Sequence, residues 1–143
     1  MFLKTLISFL FIFSSAFAQE SSHKVVYDLT TKDVKVFEKK ILQGVVAHKN
    51  YYEGKFEELE VAIVIHGGSY KFFLKSMQEK DLQKRVLSLA HNYHVSFYIC
   101  KIGLAKRHIK EENVLSFVHI VPNSTIALID KQNEGFAYIP VAH

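Results

Sequence analysis

Apolar runs and helix-like stretches alternate along the chain from residue 25 onwards. The run Val61–Ile65 is apolar at every position, which is typical of a strand buried on both faces. Shorter apolar runs predict four further strands, at 25–27, 95–99, 117–121 and 136–141. Helical spacing of apolar residues is found at 33–47, 81–93, 104–109 and 124–129. This alternation predicts an α/β protein with a mainly parallel sheet that helices cover on both faces.

The first residues have the pattern of a secretory signal peptide. Lys4 supplies a positive charge, the following stretch is apolar, and Ala16-Phe17-Ala18 has the small residues of a cleavage site. We therefore expect a signal peptide at 1–18, cleaved after Ala18, and one domain at 19–143 in the periplasm or secreted. The residue directly after the cleavage site is Gln19 rather than a cysteine, so we expect no lipid or membrane anchor on the mature chain.

Composition argues against two classes of function. The net charge is +4, and the basic residues are scattered rather than gathered in a run, so nucleic acid is not an expected partner. His91 and His94 have the spacing of a metal-ligand pair, but no third ligand is near them in sequence. We interpret them as the end of a helix, and expect neither a metal nor a cofactor.

Several polar residues follow the predicted strands at their carboxyl ends. His66 follows the second strand, Cys100 and Lys101 the third, and Asn123 the fourth. In open parallel sheets this edge is where ligands bind. Cys100 is the only cysteine, and a thiolate there would be a nucleophile that nearby cations or a helix N-terminus activate. The alternative is that Cys100 is a small, inert core residue.

The residues after the second strand also leave alternatives open. His66 is a candidate base or imidazolium partner for the thiolate, with Lys101 as a second charge that tunes it. Alternatively, His66 caps a strand and bonds to a turn. Gly67 and Gly68, with Ser69, form either an anion-binding nest or a tight turn. We retain Gly67, Gly68 and Asn123 as candidate ligand-binding residues.

Four segments, taken in order, resemble the DsrE-like (YchN-like) family. They are Val64-Ile65-His66-Gly67-Gly68, Val95-Ser96-Phe97-Tyr98-Ile99-Cys100, Ile120-Val121-Pro122-Asn123-Ser124 and Gly135-Phe136-Ala137-Tyr138-Ile139. The resemblance implies a three-layer α/β/α sandwich with a five-stranded, mainly parallel sheet, and homo-oligomers that are trimers or hexamers. It also implies that Cys100 carries sulfur as a persulfide between a donor and an acceptor protein.

Two features separate this chain from the sulfur-relay members. It reads Lys101-Ile102-Gly103-Leu104-Ala105-Lys106 where those members tend to have an alanine-rich turn, and it carries an export signal. The first hypothesis is therefore a periplasmic sulfur carrier, or a sulfurtransferase-like protein, that uses Cys100. The second is an oligomeric module that binds a small ligand at the same rim, and the third is a redox sensor in which Cys100 pairs between subunits.

Five aromatic residues would form an apolar interface patch if their side chains are exposed. Its candidate members are aromatic residues in loop-like or short helical segments, namely Tyr51, Tyr52, Phe56, Phe72 and Phe73.

Overall fold

A computed structural model describes residues 22–143. The predicted signal peptide, 1–18, lies outside the described residues. Five strands form one sheet with the order β4-β3-β2-β1-β5. All four strand pairs are parallel. The strands are β1 (Ser22–Leu29), β2 (Glu58–Ile65), β3 (Ser96–Cys100), β4 (Val118–Val121) and β5 (Ala137–Val141).

The helices lie between successive strands. A continuous helical stretch follows β1: α1 (Val34–Phe37), a π-helical segment (Glu38–Gln43) and α2 (Gly44–Glu53). A 3₁₀ helix (Gly67–Phe73) and α3 (Lys80–His91) connect β2 to β3. The remaining elements are α4 (Lys101–Lys106), a 3₁₀ turn (Glu111–Asn113) and α5 (Ser124–Asn133). Within residues 22–143, no helix is long and apolar enough to cross a membrane.

Strand order and helix placement follow from right-handed crossovers. The connections from β1 to β4 all advance the same way across the sheet, so their helices lie on one face. The connection through α5 returns past β1 to place β5 at the opposite edge, which puts α5 on the other face. The helix α5 accordingly packs against β1, β2 and β3. The result is the expected three-layer α/β/α arrangement.

The two faces of the sheet are buried very differently. The larger core includes alternate residues of β2, such as Ile63 and Ile65, and the aromatic rings of Phe37, Phe72 and Phe73. Phe37 stacks on Phe72 with ring centroids 4.2 Å apart and meets Phe73 edge-on at 5.8 Å. The smaller core under α5 consists of Val26, Ala62, Val64, Leu128 and Phe136.

The burial of Phe72 and Phe73 corrects the predicted interface patch. Both side chains belong to the main core and are at most 1% exposed. The short 3₁₀ helix turns them inward, a direction that a loop-like sequence pattern does not reveal. Tyr51 and Phe56 are exposed, by 58% and 95% respectively. The aromatic patch is therefore smaller than the sequence suggested.

Element boundaries differ from the predictions mainly where caps decide them. The helix after β3 begins directly at Lys101 rather than at residue 104. Asn123, not Ser124, caps α5, since its side chain accepts hydrogen bonds from the N–H groups of Thr125 and Ile126. The third strand ends at Cys100, one residue beyond the predicted end, so Cys100 stands where β3 passes into α4.

Candidate functional site

Cys100 lies at the junction between a strand and a helix. It is the last residue of β3 and the N-cap of α4, with the extended backbone angles φ −77° and ψ 120°. The residue is only 6% exposed and has no disulfide partner. The lone cysteine therefore sits at the carboxyl end of β3 and is largely shielded from solvent.

Hydrogen-bond donors from two helices surround the thiol. Burial raises the pKa of Cys100. Hydrogen-bond donors lower the same pKa by a larger amount, and they are the N–H groups of Gly103, Ser124 and Ile102 and the hydroxyl of Ser124. The net effect places the pKa of the Cys100 thiol below its ordinary value. The donors come from the first turns of α4 and α5, where backbone N–H groups have no partner within the helix. This arrangement stabilises negative charge on sulfur.

Tyr70 packs against the backbone of the same turn. Its hydroxyl donates a hydrogen bond of 3.0 Å to the carbonyl oxygen of Cys100. Burial raises the pKa of Tyr70, and the negative charge of a Cys100 thiolate raises it further, while Arg107 lowers it. Tyr70 therefore remains a neutral hydrogen-bond donor beside the sulfur at physiological pH.

Arg107 fixes the ring of Tyr70 from outside. Its guanidinium lies 4.5 Å from the centroid of that ring. The same group donates hydrogen bonds to the carbonyl oxygens of Gly67 at 2.7 Å and Gly103 at 3.1 Å. One arginine thus ties the segment after β2 to the helix after β3, with the tyrosine ring between them.

His66 pairs with a carboxylate. Its Nε2 atom is hydrogen-bonded to Oδ1 of Asp28, a residue of β1. The other carboxylate oxygen, Oδ2, accepts a 2.6 Å hydrogen bond from the hydroxyl of Tyr138 in β5. One residue each from β1 and β5, together with the residue that follows β2, therefore form one polar cluster. The predicted role of His66 as a partner of the thiolate stays a prediction.

The other predicted site residues have clear structural positions. Lys101 is exposed and pairs with Glu111 at 2.9 Å, and its proposed effect on Cys100 stays a prediction.

The N–H of Gly68 donates to the carbonyl of Thr30 at 3.0 Å, while the carbonyl of Gly67 accepts from Arg107. These bonds favour the tight turn over an anion-binding nest.

Asn123 acts on the site indirectly. Its side chain accepts hydrogen bonds from Thr125 at 2.8 Å and Ile126 at 3.4 Å, which closes the first turn of α5. That cap orients the turn in which Ser124 faces the thiol. Ligand binding by Asn123 stays a prediction.

Sequence reasoning missed Tyr70, Arg107 and Ser124 as parts of this site. Tyr70 is far from Cys100 in sequence, and Arg107 is separated from Cys100 by the whole of α4. Neither residue belongs to a recognisable motif. For Ser124 the sequence does contain a signal. The one usable signal was its place directly after a strand end and a Pro-Asn pair, where a helix N-terminus meets the carboxyl edge.

Histidine clusters supply no metal site among residues 22–143, where no group of three or more potential ligands is close enough to bind an ion. His91 instead packs against the ring of Phe117 at 6.0 Å. His119 is exposed because β4 is an edge strand, and its ring stacks on that of Tyr98 with centroids 5.4 Å apart.

Two sizeable cavities lie away from the cysteine. One of about 510 Å³ is lined by Lys49, Phe56 and His94, among others. Another of about 610 Å³ lies beside the start of β1 and β5, and its lining includes Tyr27, His48 and Tyr52. Both involve the amino-terminal ends of strands, whereas Cys100 is at the carboxyl edge.

Comparison with known proteins decides the family. The model of the DsrE/DsrF-like family matches residues 8–141. The chain belongs to this family. It is also 31% identical over 140 residues to an uncharacterized protein of Aquifex aeolicus (strain VF5). That alignment covers 92% of this chain but 62% of the relative, which is therefore considerably longer.

A solved structure shares the fold of this DsrE/DsrF-like chain. It is MTH1491 of Methanobacterium thermoautotrophicum, a protein of unknown function. The two superpose with a TM-score of 0.63 over 82% of this chain and 98% of MTH1491, at 18% sequence identity. The likeness confirms the predicted fold class.

Proposed function

We propose that this protein is an exported member of the DsrE/DsrF-like family that carries sulfur as a persulfide on Cys100. The observation that carries the proposal is the position of the thiol where β3 passes into α4, beside donor groups of two helices that lower its pKa. N–H groups from two helix N-termini, together with the Ser124 hydroxyl, favour the thiolate. A thiolate, rather than a thiol, is the species that attacks sulfur.

Loading of the carrier is a nucleophilic displacement. The Cys100 thiolate attacks the outer sulfur of a sulfane-sulfur donor such as thiosulfate. A bond forms between the two sulfur atoms, the bond from the outer sulfur to the sulfonate breaks, and sulfite leaves with the electron pair. The products are the Cys100 persulfide anion and sulfite, so charge and atoms are conserved. No external oxidant or reductant is required.

In unloading, the same donors stabilise Cys100 as the leaving thiolate. The outer sulfur of the Cys100 persulfide first takes a proton from solvent. An acceptor thiolate then attacks that outer sulfur and leaves with it, and with its proton, as a persulfide, while Cys100 is released as a thiolate. A leaving thiolate of lowered pKa departs more readily. The N–H groups of Ile102 and Gly103 and the groups of Ser124 therefore assist both directions of transfer.

Intact-mass spectrometry of the mature protein tests the proposal. Wild type and Cys100→Ser are each incubated with thiosulfate, and separately with polysulfide. We expect wild type alone to gain the mass of one sulfur atom, and a reductant to remove it. No adduct on wild type, or the same adduct on Cys100→Ser, would overturn the proposal.

Export is part of the proposal and rests on the sequence of residues 1–18. The expected mature N-terminus is Gln19, which N-terminal sequencing of protein from a periplasmic fraction or the medium would identify. Recovery of the full-length chain from the cytoplasm alone would contradict it.

The second candidate is an oligomeric module that binds a small ligand and uses Cys100 as a packing residue. A cavity of about 610 Å³ has the size of an ordinary ligand pocket, but it lies at the amino-terminal ends of β1 and β5, so it supports a ligand there rather than at the rim. This candidate predicts unchanged ligand binding in Cys100→Ser. The redox-sensor hypothesis instead predicts a covalent dimer on non-reducing gels that Cys100→Ser abolishes.

A further inference from the structure

The carboxylate of Asp28 is held from both sides. Oδ1 accepts from the ring of His66, and Oδ2 accepts from the hydroxyl of Tyr138 at 2.6 Å. The Asp28 side chain is 14% exposed and that of His66 30% exposed. The two donors, His66 and Tyr138, fix the orientation of the Asp28 carboxylate. The carboxylate in turn fixes the orientation of the His66 imidazole.

This pairing decides which ring nitrogen of His66 is free. An ionised carboxylate only accepts hydrogen bonds, so the nitrogen that contacts Asp28, Nε2, carries a proton. In neutral His66 the unprotonated atom is therefore Nδ1.

Strand register places His66 level with Cys100. Ile65 pairs with Ile99, and the next residue on each strand is His66 or Cys100. Both have extended backbones, and the His66 N–H still donates to Leu29 at 3.1 Å, so β2 continues through this position. Neighbouring strands lie about 4.8 Å apart, a span that a direct contact or one water molecule can bridge.

Few other charged or titratable groups face this cluster. From α4, the Arg107 guanidinium contacts the carbonyl of the adjacent Gly67. From the segment after β1, the stem of Lys32 lies against Gly68. The phenol of Tyr70 lies beside Cys100, donates to its carbonyl oxygen and keeps its own proton. Asp28 is thus the carboxylate in direct contact with His66.

We propose that Asp28 and Tyr138 are positioning residues that hold His66 with Nε2 protonated, so that Nδ1 exchanges a proton with Cys100. In loading, the Cys100 thiol gives its proton to Nδ1 and becomes the attacking thiolate, while His66 becomes an imidazolium beside the Asp28 carboxylate. In unloading, Nδ1 returns the proton to the released thiolate. The inference rests on the proposed function for its biological meaning, but its chemistry is measurable without sulfur transfer.

The first test is the pH profile of Cys100 alkylation by iodoacetamide. In wild type, we expect a reactive thiolate–imidazolium pair at a pH where a lone thiol stays protonated. His66→Gln should remove that low-pH step and slow alkylation at neutral pH by about tenfold, the effect of one pKa unit on the thiolate fraction. Asp28→Asn should shift the profile in the same direction, and Tyr138→Phe by less, because the carboxylate keeps its charge.

The control is His119→Gln, which changes an exposed histidine on β4 that stacks on Tyr98. Its profile should match that of wild type. Profiles of His66→Gln or Asp28→Asn that superimpose on wild type would overturn the proposal.

A second measurement needs no variant at His66 or Asp28. Nitrogen chemical shifts of the wild-type imidazole report its tautomer directly, and we expect the Nε2–H form of neutral His66. The Nδ1–H form would overturn the proposal even if Asp28→Asn failed to fold.

The outcomes separate this inference from the proposed function. A persulfide on wild type with an unchanged His66→Gln profile refutes only the positioning role. A His66-dependent profile without any persulfide refutes only the sulfur carrier.

Discussion

A β-carbon at position 103 would stand 1.8 Å from the hydroxyl oxygen of Tyr70. It would also lie 2.5 Å from the ring carbon that bears that oxygen. These distances are far inside van der Waals contact, so the first turn of α4 and the ring of Tyr70 fit together only when residue 103 is glycine. The same glycine supplies an N–H donor to Cys100. The packing of Tyr70 and the stabilisation of the thiolate therefore depend on one residue.

Gly103→Ala should destabilise the protein and alter the thiol together. We expect a loss of about 1–3 kcal/mol in the free energy of unfolding, typical of overpacking, because Tyr70 or α4 must move. Urea unfolding measures the loss, and alkylation of Cys100 measures the change at the sulfur. Gly54→Ala, at the end of α2 with φ −62°, is the matched control and should cost nothing. Equal stability of wild type and Gly103→Ala would contradict this account of the contact.

Ser124→Ala should raise the pKa of Cys100. The hydroxyl is one of the groups that lower that pKa, and its loss leaves only the backbone donors. Since the thiolate fraction at a given pH falls as the pKa rises, alkylation should be slower at neutral pH and equal to wild type at high pH. Thiolate ultraviolet absorbance against pH gives the pKa directly. Thr125→Ala, on the exposed next residue, should leave it unchanged, and a lower pKa in Ser124→Ala would be incompatible with the geometry.

Arg107→Lys should loosen Tyr70 although the charge is kept. A lysine cannot donate to Gly67 and Gly103 at once while it covers the ring. We expect a loss of about 0.5–1 kcal/mol in stability, the usual size of an exposed cation–π contact. Thermal unfolding tests this, with Lys106→Ala as the control on the same helix. Full stability in Arg107→Lys would show that charge alone suffices.

Assembly should depend on the outer side of α5. Ile126 and Ile129 are 54% and 47% exposed and lie three residues apart, so they share one side of the helix. If the proposed trimers or hexamers use this side, the double variant Ile126→Ser/Ile129→Ser should be smaller by light scattering. Leu87→Ser, which changes an exposed leucine of α3, is the control. An unchanged mass for the double variant would place the interface elsewhere, and a monomeric wild type would refute the oligomer itself.

Much of the fold was predictable because it depends on local patterns. The uniformly apolar Val61–Ile65 run revealed the central strand, and the strand ending at Cys100 placed the thiol at the correct edge. Contacts between distant segments were not predictable. The inward direction of Phe72 and Phe73, and the meeting of Tyr70 with Arg107, follow from how the 3₁₀ helix and α4 pack after folding. The exposure of His119 depends on β4 being an edge strand, and strand order is a property of the whole sheet.

The same strand order has a consequence for how the chain acquires its structure. The contact between Asp28 and Tyr138 joins residues 110 positions apart, and β1 pairs along one side with β5. While the chain is still being made, β1 can find β2 but its other side stays open, with unpaired N–H and C=O groups exposed. Such a side is a template for pairing with a neighbouring chain. We therefore expect slow folding, and a need for protection from aggregation until β5 is in place. Both follow from the same strand order that builds the polar cluster around His66.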